Sequence, residues 1–351
     1  MTGGGTAGHV IPNLALVPLL AKEGIAVEYI GSEAGIEKRL VTEKGIPFHG
    51  IPSGKLRRYF DLKNITDPFR VVAGVFKAWA LLGRIRPALV FSKGGFVAVP
   101  VVLAARARGI PVVLHESDMT PGLANRLCIP FAAIVCASFR ETLDHLPSGK
   151  AVHTGAPIRA ELFAGERSKG LAFLGFPEEP AKPLLLSMGG SLGSRALNRA
   201  LREALPALAG RFRVAHICGK GAIDPALEGG PDYRQFEYVG SELPDLLAAA
   251  DFVLSRAGAN AIFELLALQK PNLLVPLPLA SSRGDQILNA RAFEAQGYSR
   301  VLPEEEIRGD RLSREIEALV AGAEAHREAM RRSPERNGAA AVLDQIRRAL
   351  R

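Results

Sequence analysis

The chain has 351 residues, 48% of them hydrophobic, and a formal net charge of +8. That length suits two domains of ordinary size with solid cores; no stretch reaches the length of a spanning helix, and no signal peptide is expected. Cys128, Cys136 and Cys218 lie in apolar or strand-like settings, which argues for buried thiols and against a disulfide framework or a zinc site. Residues 1–155 hold 18 Lys+Arg against 11 Asp+Glu, so the N-terminal half is expected to meet an anionic surface, either membrane or polyanion.

In chain order, TGGGTAGH comes first, and Gly3, Gly5 and Gly8 match G-x-G-x-x-G. That pattern is weak alone and should follow an apolar strand. Only Met1 and Thr2 precede it, so either the first strand is missing, as a misassigned start would explain, or the loop is used differently. His9 stands at the loop's exit near a helix start, where local positive potential favours a neutral imidazole, suited to a general base. Residues 11–20 read as a helix, 26–30 as a strand and 31–44 as a loop and helix. Glu33 fits a capping or solvated role better than the ribose acid of a dehydrogenase.

Residues 51–93 carry nine Lys+Arg, including Lys55, Arg57, Arg58 and Lys63, with Phe69, Val72, Val75, Phe76, Trp79 and Leu82 at helical spacing. Basic and aromatic residues on one helix suit an interfacial membrane contact, although a core stripe has the same spacing. Residues 88–91 form a strand ending in a second Gly turn, Ser92-Lys93-Gly94-Gly95. Residues 112–114 form another, followed by the polar run His115-Glu116-Ser117-Asp118 and then Asn125, a site-like arrangement at a strand's carboxyl end. Strands at 134–137 and 152–154 close the first sheet, and residues 155–159 read as a linker.

The second half repeats the plan. A strand at 184–188 runs into Gly189-Gly190-Ser191 and a helix, a phosphate-style loop with amides and the Ser191 hydroxyl. Strands follow at 214–218 and 236–239. Residues 252–254 are a strand, Ser255-Arg256-Ala257-Gly258 a turn, the next segment a helix, and 273–276 a strand, which makes a βαβ unit. The amides of Ala259, Asn260 and Ala261 suit a phosphate. Glu264 lies about one and a half turns down that helix, within reach of a ribose diol. Asp285, Gln286 and Asn289 lie on a later helix, and 334–351 reads as a last amphipathic one.

Two Rossmann-like halves facing across a cleft, with parallel sheets flanked by helices, resemble the α/β GT-B fold of nucleotide-sugar glycosyltransferases. GGGTAGHVIPNLAL, SKGGFVAVP, IPVVLHESDMTPGLANR, TGAPIR, MGGSLGSRALN, SRAGANAIFE and GDQILNA keep their order across nearly the whole chain. Together they are similar to the peptidoglycan glycosyltransferases that add N-acetylglucosamine to undecaprenyl-pyrophosphoryl-muramyl-pentapeptide (lipid I), giving lipid II. Asp118 stands where many relatives have Asn, and Asp285 replaces a common Gln.

The resemblance implies an acceptor- and membrane-facing domain at 1–158, a UDP-sugar domain at 159–333 and a C-terminal helix at 334–351 packing back on the first. It implies donor contacts at Arg159, Ser191, Val239, Gly258, Ala259, Asn260, Ala261, Glu264, Asp285, Gln286 and Asn289. Acceptor contacts are implied at Gly4, Gly5, Thr6, Gly8, His9, Gly95, Glu116, Asp118 and Asn125, with His9 the base and Glu116 and Asp118 its reserves. No cofactor and no strictly required metal is expected, since no Asp-x-Asp motif occurs. Expected partners are UDP-N-acetylglucosamine, an undecaprenyl-linked acceptor, an anionic lipid surface at the cytoplasmic membrane face and other cell-wall or division proteins, but no nucleic acid. Another GT-B enzyme, a lipid glycosyltransferase or UDP-sugar epimerase, stays open, as does an NAD-dependent oxidoreductase from the first Gly loop.

Overall fold

The computed structural model describes residues 1–54, 63–179, 182–190, 193–335 and 337–351, except the side chains of 63–68. Two units divide the chain: Met1–Arg159 with Asn337–Arg351, and Ala160–Arg336.

The first unit contains strands β1 (Tyr29–Ser32), β2 (Phe48–Ile51), β3 (Val90–Ser92), β4 (Val112–Glu116), β5 (Ile134–Ala137) and β6 (Ala151–His153). β1 pairs with β2, and β3 to β6 pair in sequence order, all parallel. Thr2 joins the two pieces through parallel bridges to Ile30 and Ser92. In place of a full strand before the Gly loop there is this one bridged residue. Met1 and Thr2 themselves hold the central place, because their backbone groups complete ladder bonds on both sides. Thr2 N–H donates to Phe91 (2.9 Å), Lys93 N–H to Thr2 (3.1 Å) and Ile30 N–H to Met1 (2.9 Å). The Met1 ammonium donates to the Glu28 carbonyl at 2.6 Å, and burial lowers its pKa to about 5. A cavity of about 350 Å³ continues the line of these two residues, lined by Ala26, Val27, Leu82, Leu89, Phe91 and Ile346 among others. That cavity on one side, and Pro47 on the other, delay the ladder of β1 to Tyr29, three residues later than the periodicity predicts.

The last helix, Ala339–Leu350, belongs to this unit. Its buried Ala339, Val342, Leu343 and Ile346 recur at helical spacing and pack against Leu16, Leu20, Phe91, Val113 and Ile134. Asn337 anchors its start by accepting from Ile158 N–H and Ala339 N–H, both at 3.0 Å. Cys128 and Cys136 are buried thiols whose pKa burial pushes up to about 12, and Cys218 is also free and buried.

The helix Lys63–Ile85 answers the choice between core and surface residue by residue. Ala78 and Leu82 are buried against Ile51, Val97 and Val101, with Leu81 and Ile85 packed beside them. Phe69, Val72, Phe76 and Trp79 point the other way and are exposed by 75%, 54%, 70% and 47%. Lys55, Arg57 and Arg58 lie outside the described residues, as does the Lys63 side chain.

The second unit contains β7 (Leu184–Met188), β8 (Arg213–Ile217), β9 (Tyr233–Phe236), β10 (Phe252–Ser255), β11 (Asn272–Leu274) and β12 (Ser299–Val301). They form one parallel sheet in the order β12-β11-β10-β7-β8-β9. The helices Arg195–Leu208 and Gly309–Ala321 cover one face, burying Leu197, Leu201, Leu312 and Ile316 against Leu185, Leu254 and Leu273. The strand predicted at 236–239 occupies 233–236 instead, because its partner β8 ends at Ile217 opposite Phe236.

Candidate functional site

Strand order places the chemistry. In a doubly wound sheet the loops on either side of the reversal point diverge above the carboxyl ends of the strands and leave a crevice for ligand. The first unit reverses between Thr2 and β3, so its crevice receives the first Gly loop and the turn Ser92-Lys93-Gly94-Gly95. The second reverses between β7 and β10, so its crevice receives the Gly189-Gly190 loop and the turn 255–258.

Three side chains that sequence reading passed over hold the first Gly loop from below. Asn13 is fully buried, and its Nδ2 donates to Thr2 O (3.1 Å), His9 O (3.3 Å) and Tyr29 Oη (2.9 Å). Tyr29 Oη donates to Gly3 O at 2.8 Å, and burial raises its pKa, so it stays a donor. Glu37, 0% exposed, accepts from Gly5 N–H (3.2 Å), Ser32 N–H (2.9 Å) and the Ser32 hydroxyl. A Cβ on Gly4 would sit 2.3 Å from that carboxylate, and one on Gly95 2.2 Å from Gly4 O. Only glycine lets the two turns approach so closely. Of the three, only Asn13 carried a signal, as a polar residue set into the otherwise apolar segment 10–20.

His9 ends the 3-10 turn Ala7–His9 that leads into the helix Ile11–Lys22. It is partly exposed, and its Nδ1 lies 3.1 Å from Thr6 Oγ1. With Thr6 accepting from Nδ1–H, Nε2 carries the lone pair a general base needs. Gly8 is exposed beside it.

Glu116 has a different position from that expected of an acceptor contact or reserve base. It is 4% exposed; Oε1 accepts from Ser117 N–H (2.7 Å) and Asp118 N–H (3.0 Å), and Oε2 from Gly122 N–H (3.0 Å) and Asn125 Nδ2 (2.8 Å). Four donors occupy both oxygens, so the carboxylate builds the loop. Asn125, 6% exposed, also donates to His115 O at 3.3 Å, while its Oδ1 has no partner among the described residues. Asp118 is partly exposed at the same strand end.

In the second unit Ser191 lies outside the described residues. The loop around it passes through Gly190 and Gly193, both at positive φ (86° and 75°), into Ser194, which caps the helix Arg195–Leu208 by accepting from Leu197 N–H. Arg256, unassigned in the sequence reading, ties this loop to the next. It is 7% exposed and donates to Ser194 Oγ (2.6 Å) and Val275 O (3.1 Å), and it pairs with Glu304.

Gly258 caps the helix Ala259–Ala267 with extended backbone; Asn260, Ala261 and Glu264 are partly exposed, whereas Ala259 is buried. The helix Asp285–Ala295 brings two predicted residues to the same turn. Gln286 lies beside Gly258 and accepts from Leu277 N–H at 3.1 Å. Asn289 is fully buried and donates to Ala257 O at 3.3 Å, so its side chain shapes the turn from inside. Asp285 pairs with Arg283 at 2.7 Å. Val239 is buried in the loop after β9, next to Tyr238, which is 70% exposed. Arg159 is partly exposed at the end of the first unit. Among the described residues no cluster of His, Cys, Asp and Glu could hold a metal ion, and no helix is long and apolar enough to cross a membrane.

Two family models match the chain: the glycosyltransferase family 28 N-terminal domain over residues 1–136 and the C-terminal domain over 184–346. A Lachnoclostridium phytofermentans protein is 56% identical over 346 residues, 99% of this chain and 97% of the relative. It is named UDP-N-acetylglucosamine--N-acetylmuramyl-(pentapeptide) pyrophosphoryl-undecaprenol N-acetylglucosamine transferase. A Clostridium botulinum protein of the same name is 52% identical over 99% of this chain and 98% of its own length. Among solved structures, the crystal structure of Acinetobacter baumannii MurG superposes with a TM-score of 0.76 at 25% identity, covering 99% of this chain and 98% of that one.

Proposed function

The chain belongs to glycosyltransferase family 28, and from that membership we infer its reaction: transfer of N-acetylglucosamine from UDP-N-acetylglucosamine to the C4 hydroxyl of lipid I, forming lipid II in peptidoglycan biosynthesis. It is a UDP-N-acetylglucosamine-dependent hexosyltransferase. The observation that carries the reading into the structure is the placement of two Gly turns at the reversal point of each parallel sheet.

We assign the donor to the second unit. Its diphosphate faces the loop after β7 and the N-terminal turn of the helix Ala259–Ala267, where backbone amides and the helix dipole meet negative charge. Glu264 takes the ribose hydroxyls from one and a half turns further down. Val239 and the exposed Tyr238 border the base, and Gln286 and Asp285 the sugar. Charge developing on UDP is met by these amides and Ser191.

The acceptor is assigned to the first unit. Its pyrophosphate faces the Gly loop, and the partly exposed Asp118 supplies a hydrogen-bond acceptor to sugar hydroxyls. His9 takes the proton of the attacking hydroxyl. Attack opposite the UDP bond inverts the anomeric centre, so an α-linked donor gives a β-glycoside. Because the acceptor's lipid stays in the bilayer, the enzyme must reach the membrane surface. The exposed Phe69, Val72, Phe76 and Trp79, flanked by Arg70 and Arg84, form the docking strip.

Incubation with labelled UDP-N-acetylglucosamine and a lipid I analogue, followed by product mass, tests the reading. Release of UDP without a product one N-acetylhexosamine heavier would sink it.

A further inference from the structure

Lys93 is the one cation of the SKGGF motif, and the roles assigned so far leave it without work. It follows β3 directly, so it stands at the reversal point of the first sheet, between the Gly loop and the end of β4. It is 2% exposed, too deep to touch a substrate. Its backbone N–H donates to Thr2 O at 3.1 Å, which ties it to the root of the Gly loop. Its ammonium lies 2.9 Å from His115 Nδ1 and also donates to the Ser117 hydroxyl.

These contacts determine the histidine's tautomer. An ammonium has only donors, so His115 Nδ1 must accept. Nε2 then carries the hydrogen and donates to Gly155 O at 3.1 Å. The relay Lys93–His115–Gly155 links the ends of β3 and β4 to the segment after β6. His115 is fully buried, and burial together with the Lys93 charge holds its pKa well below the usual value, which keeps it neutral as the relay requires. The flanking residues depend on this brace. Ser117 is held by Lys93, Glu116 gathers the amides of Ser117, Asp118 and Gly122, and Asn125 hangs from Glu116 and His115 O.

An unused buried ammonium is expensive, and a methionine of similar length would fill the space without that cost. Keeping one here makes sense if the strand end must be held in one geometry. We propose that Lys93 is a positioning residue for the acceptor half of the reaction: protonated, it locks the His115–Ser117 strand end so that Asp118, Asn125 and the Gly loop present one fixed acceptor surface. The proposal rests on the glycosyltransferase reading and adds to it a residue that controls acceptor use without touching either substrate.

The brace has a titration. Burial lowers the Lys93 pKa to about 8; the charges of Glu116 and Asp118, which face it from β4 and its following loop, oppose the shift, while Cys136 on β5 faces it as a neutral thiol and His115 is its neutral partner. Above that pH the amine loses a proton and the lock loosens.

The test uses the full-length enzyme, UDP-N-acetylglucosamine and a short-chain lipid I analogue. Lys93→Met should leave the Kd for UDP-N-acetylglucosamine unchanged while kcat/KM for the acceptor falls about 10- to 100-fold, the scale for losing bonds to a buried charge. In wild type, kcat/KM for the acceptor should fall above pH of about 8, and that limb should vanish in Lys93→Met. Ser117→Ala removes one acceptor of the charged form at little change in volume, so it should move the limb to lower pH even if Lys93→Met folds poorly. An unchanged limb in Ser117→Ala overturns the proposal, as does a Lys93→Met enzyme with wild-type acceptor kinetics. Wild type inactive on the analogue would instead overturn the glycosyltransferase reading itself.

Discussion

The exposed strip on the helix Lys63–Ile85 makes a quantitative claim about membrane affinity. Phe69 and Phe76 stand two turns apart on one line, exposed by 75% and 70%. Full burial of a phenylalanine side chain is worth about 3 kcal/mol at most, so their exposed fractions represent about 4 kcal/mol. A helix lying in the interface immerses roughly half of that, leaving about 2 kcal/mol. Arg70 and Arg84, on the neighbouring strip, add about 1 kcal/mol each on an anionic surface, and salt screens this part. Phe69→Ser/Phe76→Ser should therefore weaken partition into anionic vesicles about 30-fold at any salt concentration. Arg70→Gln/Arg84→Gln should weaken it by a similar factor at low salt and little at high salt. Trp79 is the only tryptophan in the chain and lies in the strip, under the Arg108 guanidinium at 3.8 Å. Its emission should shift to the blue on binding and report this face alone. Both variants should retain activity on a water-soluble acceptor. Wild-type partition by the double Phe variant, or an unmoved Trp79 spectrum on bound protein, would refute the assignment of this strip as the docking face.

Other consequences concern the two crevices and the sheet. Glu264→Ala should weaken UDP-N-acetylglucosamine binding by about 1–3 kcal/mol, and dideoxyuridine donors should lose that amount in wild type and almost nothing more in the variant; additive losses by calorimetry would separate the carboxylate from the ribose. His9→Ala should keep donor affinity and lower turnover by roughly 100-fold or more, measured under saturating substrates; near-normal turnover at neutral pH would remove His9 from the mechanism. Three apolar residues added before Met1 should extend the central strand into the 350 Å³ cavity and replace a buried ammonium by an amide. Side-chain burial less ordering entropy leaves about 1–3 kcal/mol, a rise of several degrees in Tm. An equally long extension carrying Asp should gain nothing, and equal gains from both would show that the cavity does not take a strand.

Much of this protein is written locally. Residues 184–188 and 134–137 read as buried strands, and both occupy those bounds. The helix Ile11–Lys22 and the helix from Ala259 begin where Gly turns end. Periodicity and glycine act over a few residues, so a window of the chain suffices to recognise them, and seven ordered motifs were enough to point to the glycosyltransferase fold. Strand ends were less legible, because a strand stops where its partner stops: β9 ends at Phe236 opposite Ile217, whatever the apolar residues beyond it suggest.

Long-range placement decided the rest. No local pattern distinguishes Phe76, which faces solvent, from Leu82, which is core; the direction of the underlying sheet does. Glu116 and Asn289 carry the right chemistry for substrate contact, yet the fold turns both inward to hold their own loops. Asn13, Glu37, Lys93 and Arg256 looked incidental, and each braces a glycine turn at a reversal point. The physical reason is the cost of burying a polar group. Hydrogen bonding across the sheet can offset it only with partners brought from distant parts of the chain, so sequence alone supplied the groups, and the strand order supplied their partners.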